Sequence, residues 1–273
     1  MRQFFILLIL LAALPLLAQE AGAQESSSQE SGGGPLFMKH LVGDREFFEP
    51  WGIGVDFYTM DQDYGIKHLE FALPGVGLDD PSLIDVSNEL QHLDLRLDVW
   101  LTPFLNVYGL VGRVDADTLV DLSKVPITGL PISLGTLPIS YDGTVWGGGF
   151  TLAYGGEWWF VSVNNTWTTA NLSGGFDSSI SSFTSQPRLG LIRDRWTFWV
   201  GGMYLDTKEE HKGTIDLLIP GIPPVPFNVE LESMNHWNYV VGAGYVFSPK
   251  ATLYLEYGFG DRTHTLFNFT YRF

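Results

Sequence analysis

In the stretch LDLRLDVWL, residues 93–101, a charged group recurs at every second position: Asp94, Arg96, Asp98. In an extended chain that spacing puts all three on one face and Leu93, Leu95, Leu97, Val99 and Leu101 on the other. Further charges of this kind stand at Asp56, Arg188, Glu256 and Arg272. Carboxylates beside guanidiniums pair with each other or hold a charged solute; they do not make a nucleophile and its base. The histidines supply no such couple either. Two positions after His40, His68, His92, His211, His236 and His264 stand Val42, Glu70, Asp94, Gly213, Asn238 and Leu266, so no His-x-Ser pair exists. Asp79-Asp80 with His236 or His264 has the composition of a water-activating site, but nothing in the spacing supports one. Metal-ligand spacings and phosphate-cradling glycine loops are absent. No catalytic residue, no metal and no cofactor is expected.

The elements that must position these charges follow a period of two from Trp51 onward. Ten segments of strand length are bounded by turn residues. They are residues 51–60, 90–101, 105–115, 144–154, 157–168, 183–192, 196–207, 237–247, 251–259 and 264–273. Their connections alternate between short (102–104, 155–156, 193–195, 248–250) and long (61–89, 116–143, 170–182, 208–236), with 260–263 a short last member. Tight turns on one side and long loops on the other is the layout of a transmembrane antiparallel up-and-down β-barrel. Hydrocarbon leaves no backbone N–H or C=O a water partner, so the sheet must close on itself. A spanning strand needs about 9–11 residues, and these segments fit. The expectation is an all-β fold, a ten-stranded barrel over 51–273; counting 66–73 and one loop segment gives a twelve-stranded alternative. A soluble β-sandwich accounts poorly for the long–short rule and the outward aromatic rows.

The N-terminus carries the three-part pattern of a secretory signal peptide over residues 1–23. Met1-Arg2-Gln3 is followed by an apolar run to Leu17 and by the small residues Ala21-Gly22-Ala23. Residues 24–50 are expected as a flexible N-terminal periplasmic segment, opening on the Ser-, Glu- and Gly-rich QESSSQESGGGP. The formal charge of −16 sits wholly in the chain after the signal, because Arg2 and Glu20 cancel. Nucleic acid is therefore no expected partner.

The signal peptide, the strand–turn layout and the closing Tyr271-Arg272-Phe273 resemble the outer-membrane β-barrel proteins of Gram-negative bacteria as a class. That resemblance implies an outer-membrane location with periplasmic termini, and outer-membrane lipid and lipopolysaccharide as surroundings. It also implies that the barrel-assembly machinery reads the last strand through Phe269, Tyr271 and the terminal Phe273. Ten-stranded proteases of this class need paired acids and an Asp–His couple at the outer rim, which these spacings do not support.

Turning the apolar rows toward lipid places Asp56, Asp94, Arg96, Asp98, Arg188, Glu256 and Arg272 inside as lumen-lining residues. Ser162, Asn164, Gln186, Asn238, Thr252 and Asn268 join them, as do Trp100, Trp158 and Trp199. Such charges must pair or meet water. A salt-bridge network filling a narrow lumen and the wall of a small-solute path are both compatible with this set. Glycines at 52, 54, 147–149, 201 and 242 relieve crowding or admit bends. The long loops form an acidic rim. Residues 125–139 and 215–227 mix Pro, Gly and aliphatics, either as strands running on into a crown or as an apolar patch for a partner. The functional expectation is a narrow pore or binding channel for small solutes; the alternative is a non-conducting structural or adhesive barrel acting through its loops.

Overall fold

The computed structural model describes residues 33–42, 47–71, 84–124, 135–173, 177–215 and 224–273. The expected signal peptide, the start of the following arm and the Asp79-Asp80 pair lie outside the described residues. So do most of the two apolar loops.

The described chain is all β apart from one 3-10 turn, Lys39–Leu41. Eleven strands follow in order: β1 Trp51–Phe71, β2 Asp85–Thr102, β3 Leu105–Asp121, β4 Thr136–Gly155, β5 Trp159–Ser173, β6 Asp177–Arg193 and β7 Trp196–Ile215. They are completed by β8 Val225–Ser233, β9 Trp237–Ser248, β10 Ala251–Phe259 and β11 Arg262–Arg272. Each pairs antiparallel with its neighbours, and β1 closes the ring on β11 through a register running from Gly52↔Arg272 to Gln62↔Arg262. Ten strands, all but β8, form this ring.

β8 belongs to a second, narrower ring. β7 pairs with β9 over Trp196–Tyr204 and then with β8 over Lys208–Ile215. β1 pairs with β11 up to Gln62 and with β8 from Tyr64 to Phe71. Above that level β8 stands where three strands stood below, so ten strands become eight. The strand-like FNVEL within the long loop is thus a wall of the crown, as the reading of strands running on beyond the membrane anticipated. Among the described residues the twelve-stranded alternative is not found. Residues 66–71 continue β1 past a bulge between Ile66 and His68; they begin no new strand, because the same backbone stays paired to β8.

The outer wall explains the alternation. Leu95, Leu97, Val111, Leu189, Val200 and Leu255 are each at least 50% exposed, a band that water would penalise and lipid tails accept. Rings mark its two edges. Toward the long loops, Phe150, Trp167, Phe183, Tyr204 and Trp237 follow one another at centroid separations of 5.0–6.2 Å. Toward the short turns lie Tyr154 with Trp159, and Trp196 with Tyr245 and Phe247. From Trp237 to Phe247 a strand rises ~33 Å, or ~25 Å across a membrane at a tilt of about 40°. No helix of the described residues is long and apolar enough to cross a membrane.

Candidate functional site: the barrel interior

The seven charged residues expected in the lumen, Asp56, Asp94, Arg96, Asp98, Arg188, Glu256 and Arg272, all line the interior cavity. At the short-turn end, Arg272 Nη2 donates to Asp98 Oδ1 at 2.9 Å, and Asn106 Nδ2 donates to the same oxygen at 2.7 Å. Gly52 makes this possible: a Cβ there would stand 2.7 Å from Asp98 Oδ2. The Arg272 guanidinium lies over the rings of Phe48 and Trp100. Phe48 belongs to the arm expected as flexible, of which residues 33–42 and 47–50 are described. They are docked: Leu36 and Phe37 donate backbone N–H to Trp100 O and Leu101 O, and Phe47 meets Trp100 edge-on at 5.6 Å.

One layer further in, Asn268 donates to Asp56, and Arg96 lies 3.6 Å from that carboxylate while donating to Thr270 Oγ1. Arg96 also sits over Tyr108, whose hydroxyl bonds Asn164 and Thr166. Across the lumen Arg188 grips Glu256 with two bonds, Nε to Oε2 at 2.6 Å and Nη2 to Oε1 at 3.0 Å. Trp199 Nε1 and Gln186 Nε2 also donate to Glu256. Gly242 leaves the space that the Trp199 indole occupies, since any side chain there would overlap the ring. His92 closes the belt against Asp94 at 2.6 Å. Trp158 departs from expectation. It lies 66% exposed in the β4–β5 turn, outside the lumen, because the strand starts at Trp159, two residues after the expected start at Glu157, and Phe160 takes the interior position.

The upper half of the lumen is apolar, and sequence reasoning missed it. Met60, Leu90, Val114, Val145, Ile180 and Met203 belong to one buried cluster inside the ring. A signal was present. In β3, Val107 and Val111 face outward, but in RVDAD (113–117) the charges face outward and Val114 and Ala116 inward. β1, β2 and β4 switch in the same way, at Tyr58, Leu90 and Val145. The apolar parity inverts where the wall leaves the lipid, and a single rule for all ten strands cannot register that.

Above this cluster a polar layer crosses the crown. Asn88 Nδ2 donates to Thr118 and Tyr141 hydroxyls, Tyr141 Oη donates to Glu209 Oε2, and His211 bridges Glu209 and Ser178. Burial, and then the Glu209 carboxylate, push the Tyr141 phenol well above its ordinary range. Ser178 Oγ lies 2.8 Å from His211 Nδ1, and Glu209 Oε2 lies 3.2 Å from Nε2. This is the connectivity of a nucleophile, base and acid. Yet Glu209 lines the interior cavity while Ser178 and His211 do not. A smaller apolar cluster, Tyr64, Ile84, Val86 and Leu231, caps the layer.

The cavity itself measures about 490 Å³ and extends from Phe48 and Arg272 through the charged belt to Glu209. Phe269 and Tyr271 lie on the outer face of β11, and Phe273 N donates to Trp51 O just beyond its end.

The architecture is that of a transmembrane up-and-down β-barrel with a two-part interior. No protein family and no curated protein matches the sequence. Among solved structures, the outer membrane protein OprG from Pseudomonas aeruginosa is 11% identical with a TM-score of 0.42, covering 83% of this chain and 98% of that one. The outer membrane protease OmpT from Escherichia coli is 8% identical with a TM-score of 0.43, covering 84% and 99%. The Pseudomonas putida toluene transporter TodX is 10% identical with a TM-score of 0.31, covering 88% and 94%. Likenesses this distant say nothing of ligand or activity.

Proposed function

We propose that the chain is an outer-membrane pore or binding channel for small solutes, with both termini on the periplasmic side. Its apolar band meets outer-membrane lipid and lipopolysaccharide, and Phe269, Tyr271 and Phe273 present its last strand to the barrel-assembly machinery. The observation that carries the reading is the interior cavity, charged in its lower half and apolar in its upper half. A purely structural plug gains nothing from a chamber of that size, because an empty apolar void forfeits dispersion contacts. The chain works by binding and passage, without covalent chemistry. Glu209 reaches the cavity, but the serine that would attack does not.

Planar-bilayer recording of the refolded protein tests this. Discrete openings whose size responds to Asp98→Asn or Arg188→Gln support the pore. A fully folded, silent barrel that binds no solute overturns it. That result would favour the second reading, a non-conducting barrel acting through its loops, for which the side chains packed across the eight-stranded crown speak.

A further inference from the structure

The arm that precedes the barrel leaves apolar side chains bare at the rim where the lipid-facing wall ends. In the stretch LFMKHL, residues 36–41, Leu36, Phe37, Met38 and Leu41 are 39–61% exposed. Lys39 and His40 lie at the surface among them. Water penalises such a group, and no described residue buries it.

The local chain accounts for both its place and its grouping. Trp100 N–H donates to Pro50 O, but Pro50 has no N–H to return the bond. Leu36 N–H takes the acceptor left open, Trp100 O, and Phe37 N–H takes Leu101 O. The arm is thereby stitched to the foot of β2, where the outward row that includes Leu93, Leu95 and Leu97 runs out. Trp51, Phe104 and Phe273 stand at the same rim, each at least 40% exposed. Beyond Phe37 the chain turns left-handed at Met38, with φ 59°, and closes a 3-10 turn through Leu41 N–H to Met38 O at 2.9 Å. Positions three apart eclipse in such a turn, so Met38 and Leu41 share a side and Lys39 and His40 take the others.

Charge points the same way. The whole chain carries −16, yet this stretch holds Lys39 and no acid, the character that lipid phosphates attract. We propose that residues 36–41 are an interfacial anchor lying in the periplasmic leaflet. Leu36, Phe37, Met38 and Leu41 enter the acyl boundary, and Lys39 meets a phospholipid phosphate. Continuity with the lipid-facing band favours lipid over a second copy or a soluble partner, either of which would have to work past the headgroups. The rest of the arm turns the other way: Phe47 meets Trp100 and Phe48 lies under Arg272 at the lower mouth. The arm therefore straddles the rim, and lipid on one half holds the other half at the mouth.

The inference rests on the barrel spanning lipid with this end at the periplasmic leaflet, and label depth tests it. The chain has no cysteine, so Phe37→Cys, Leu97→Cys and Lys250→Cys each carry a single nitroxide. The full-length proteins are reconstituted in vesicles of phosphatidylethanolamine and phosphatidylglycerol. Collision with oxygen reports lipid, and collision with a water-soluble nickel chelate reports water. The Leu97 label on the outward band and the Lys250 label in the exposed β9–β10 turn set the two extremes. The Phe37 label is expected on the acyl side of the phosphates, with an oxygen-to-nickel ratio severalfold above that at Lys250. Lys39→Glu should lower that ratio; an unchanged value overturns the phosphate contact. A ratio at Phe37 equal to that at Lys250 places the arm in water and overturns the anchor. Shielding from both reagents means that protein covers the arm, and overturns it too. A water-like Leu97 label would instead sink the membrane reading itself, and depth reads the same whichever end of the barrel faces the periplasm. Heat-modifiable migration confirms folding; should Phe37→Cys fail to fold, Leu41→Cys takes its place.

Discussion

Breaking the Arg188–Glu256 pair should cost far more than removing it. Glu256 is 1% exposed by side chain and Arg188 15%, and four donated bonds converge on the carboxylate: two from Arg188 and one each from Trp199 and Gln186. Arg188→Met leaves a buried anion held by two neutral donors, for which losses of about 3–5 kcal/mol are typical. Glu256→Leu strands the guanidinium and orphans the indole N–H, a similar loss. In the double variant the charge problem disappears, and the orphaned Trp199 and Gln186 donors cost about 1–3 kcal/mol. The double variant should therefore be no less stable than either single one, with a coupling energy of about 2 kcal/mol or more. Urea unfolding of the barrel in lipid vesicles, followed by tryptophan fluorescence, measures all four proteins. Additive losses, with coupling below about 0.5 kcal/mol, would refute the reasoning and mean that the lumen is wet enough to screen the pair.

Gly242→Ala pushes a methyl group into the Trp199 indole and should lower stability by about 1–3 kcal/mol, read by the same unfolding. Phe48→Ala removes a ring that Arg272 covers at the lower mouth; single-channel conductance should rise, and an unchanged value would show that the docked arm does not obstruct the path. A fluorophosphonate probe should leave Ser178 unlabelled in folded protein, and labelling lost in Ser178→Ala would establish covalent chemistry in the crown. The phenols of Tyr141 and Tyr64 are raised by burial first and by Glu209 next. Their contribution is full below the ordinary tyrosine range near pH ~10 and falls as pH rises beyond it. Tyr141→Phe with Tyr64→Phe should flatten that alkaline decline in an unfolding series. Replacing Phe269, Tyr271 and Phe273 by Leu should reduce the folded fraction made in cells while barely moving the urea midpoint in vitro, separating recognition during assembly from stability.

Much of the fold was legible because one solvent wrote one rule over most of the wall. Leu93, Leu95 and Leu97 face lipid, so Asp94, Arg96 and Asp98 had to face inward, and turn lengths alone fixed the order of the lower ring. Above the lipid the solvent on the outside is water, and the same alternation carries the opposite meaning. Reading Val114 and Ala116 by the membrane rule would have placed them outside, and the apolar chamber was missed for that reason. Glu209 went unnoticed because its strand, reaching Lys208-Glu209-Glu210, reads as a charged loop. Only the pairing of β7 with β8 turns Glu209 inward and leaves Glu210 outside. β8 is a long-range partner of β1, and no local pattern announces that pairing.

The strand that narrows the crown also alters the order in which the barrel can be built. β1 to β8 are contiguous in sequence, so a closed ring of eight exists on paper before residues 234–273 take part. Once β8 joins β7 to β1, the lower edges of those two strands are held at a set distance with their ladders unfilled. β9, β10 and β11 then have only to complete a gap whose two sides already stand in place. The register Gly52↔Arg272 joins the ends of the barrel chain, and an unaided search for it would carry the largest loop-closure penalty in the molecule. The crown takes most of that search away, leaving the last three strands to add as a local hairpin unit.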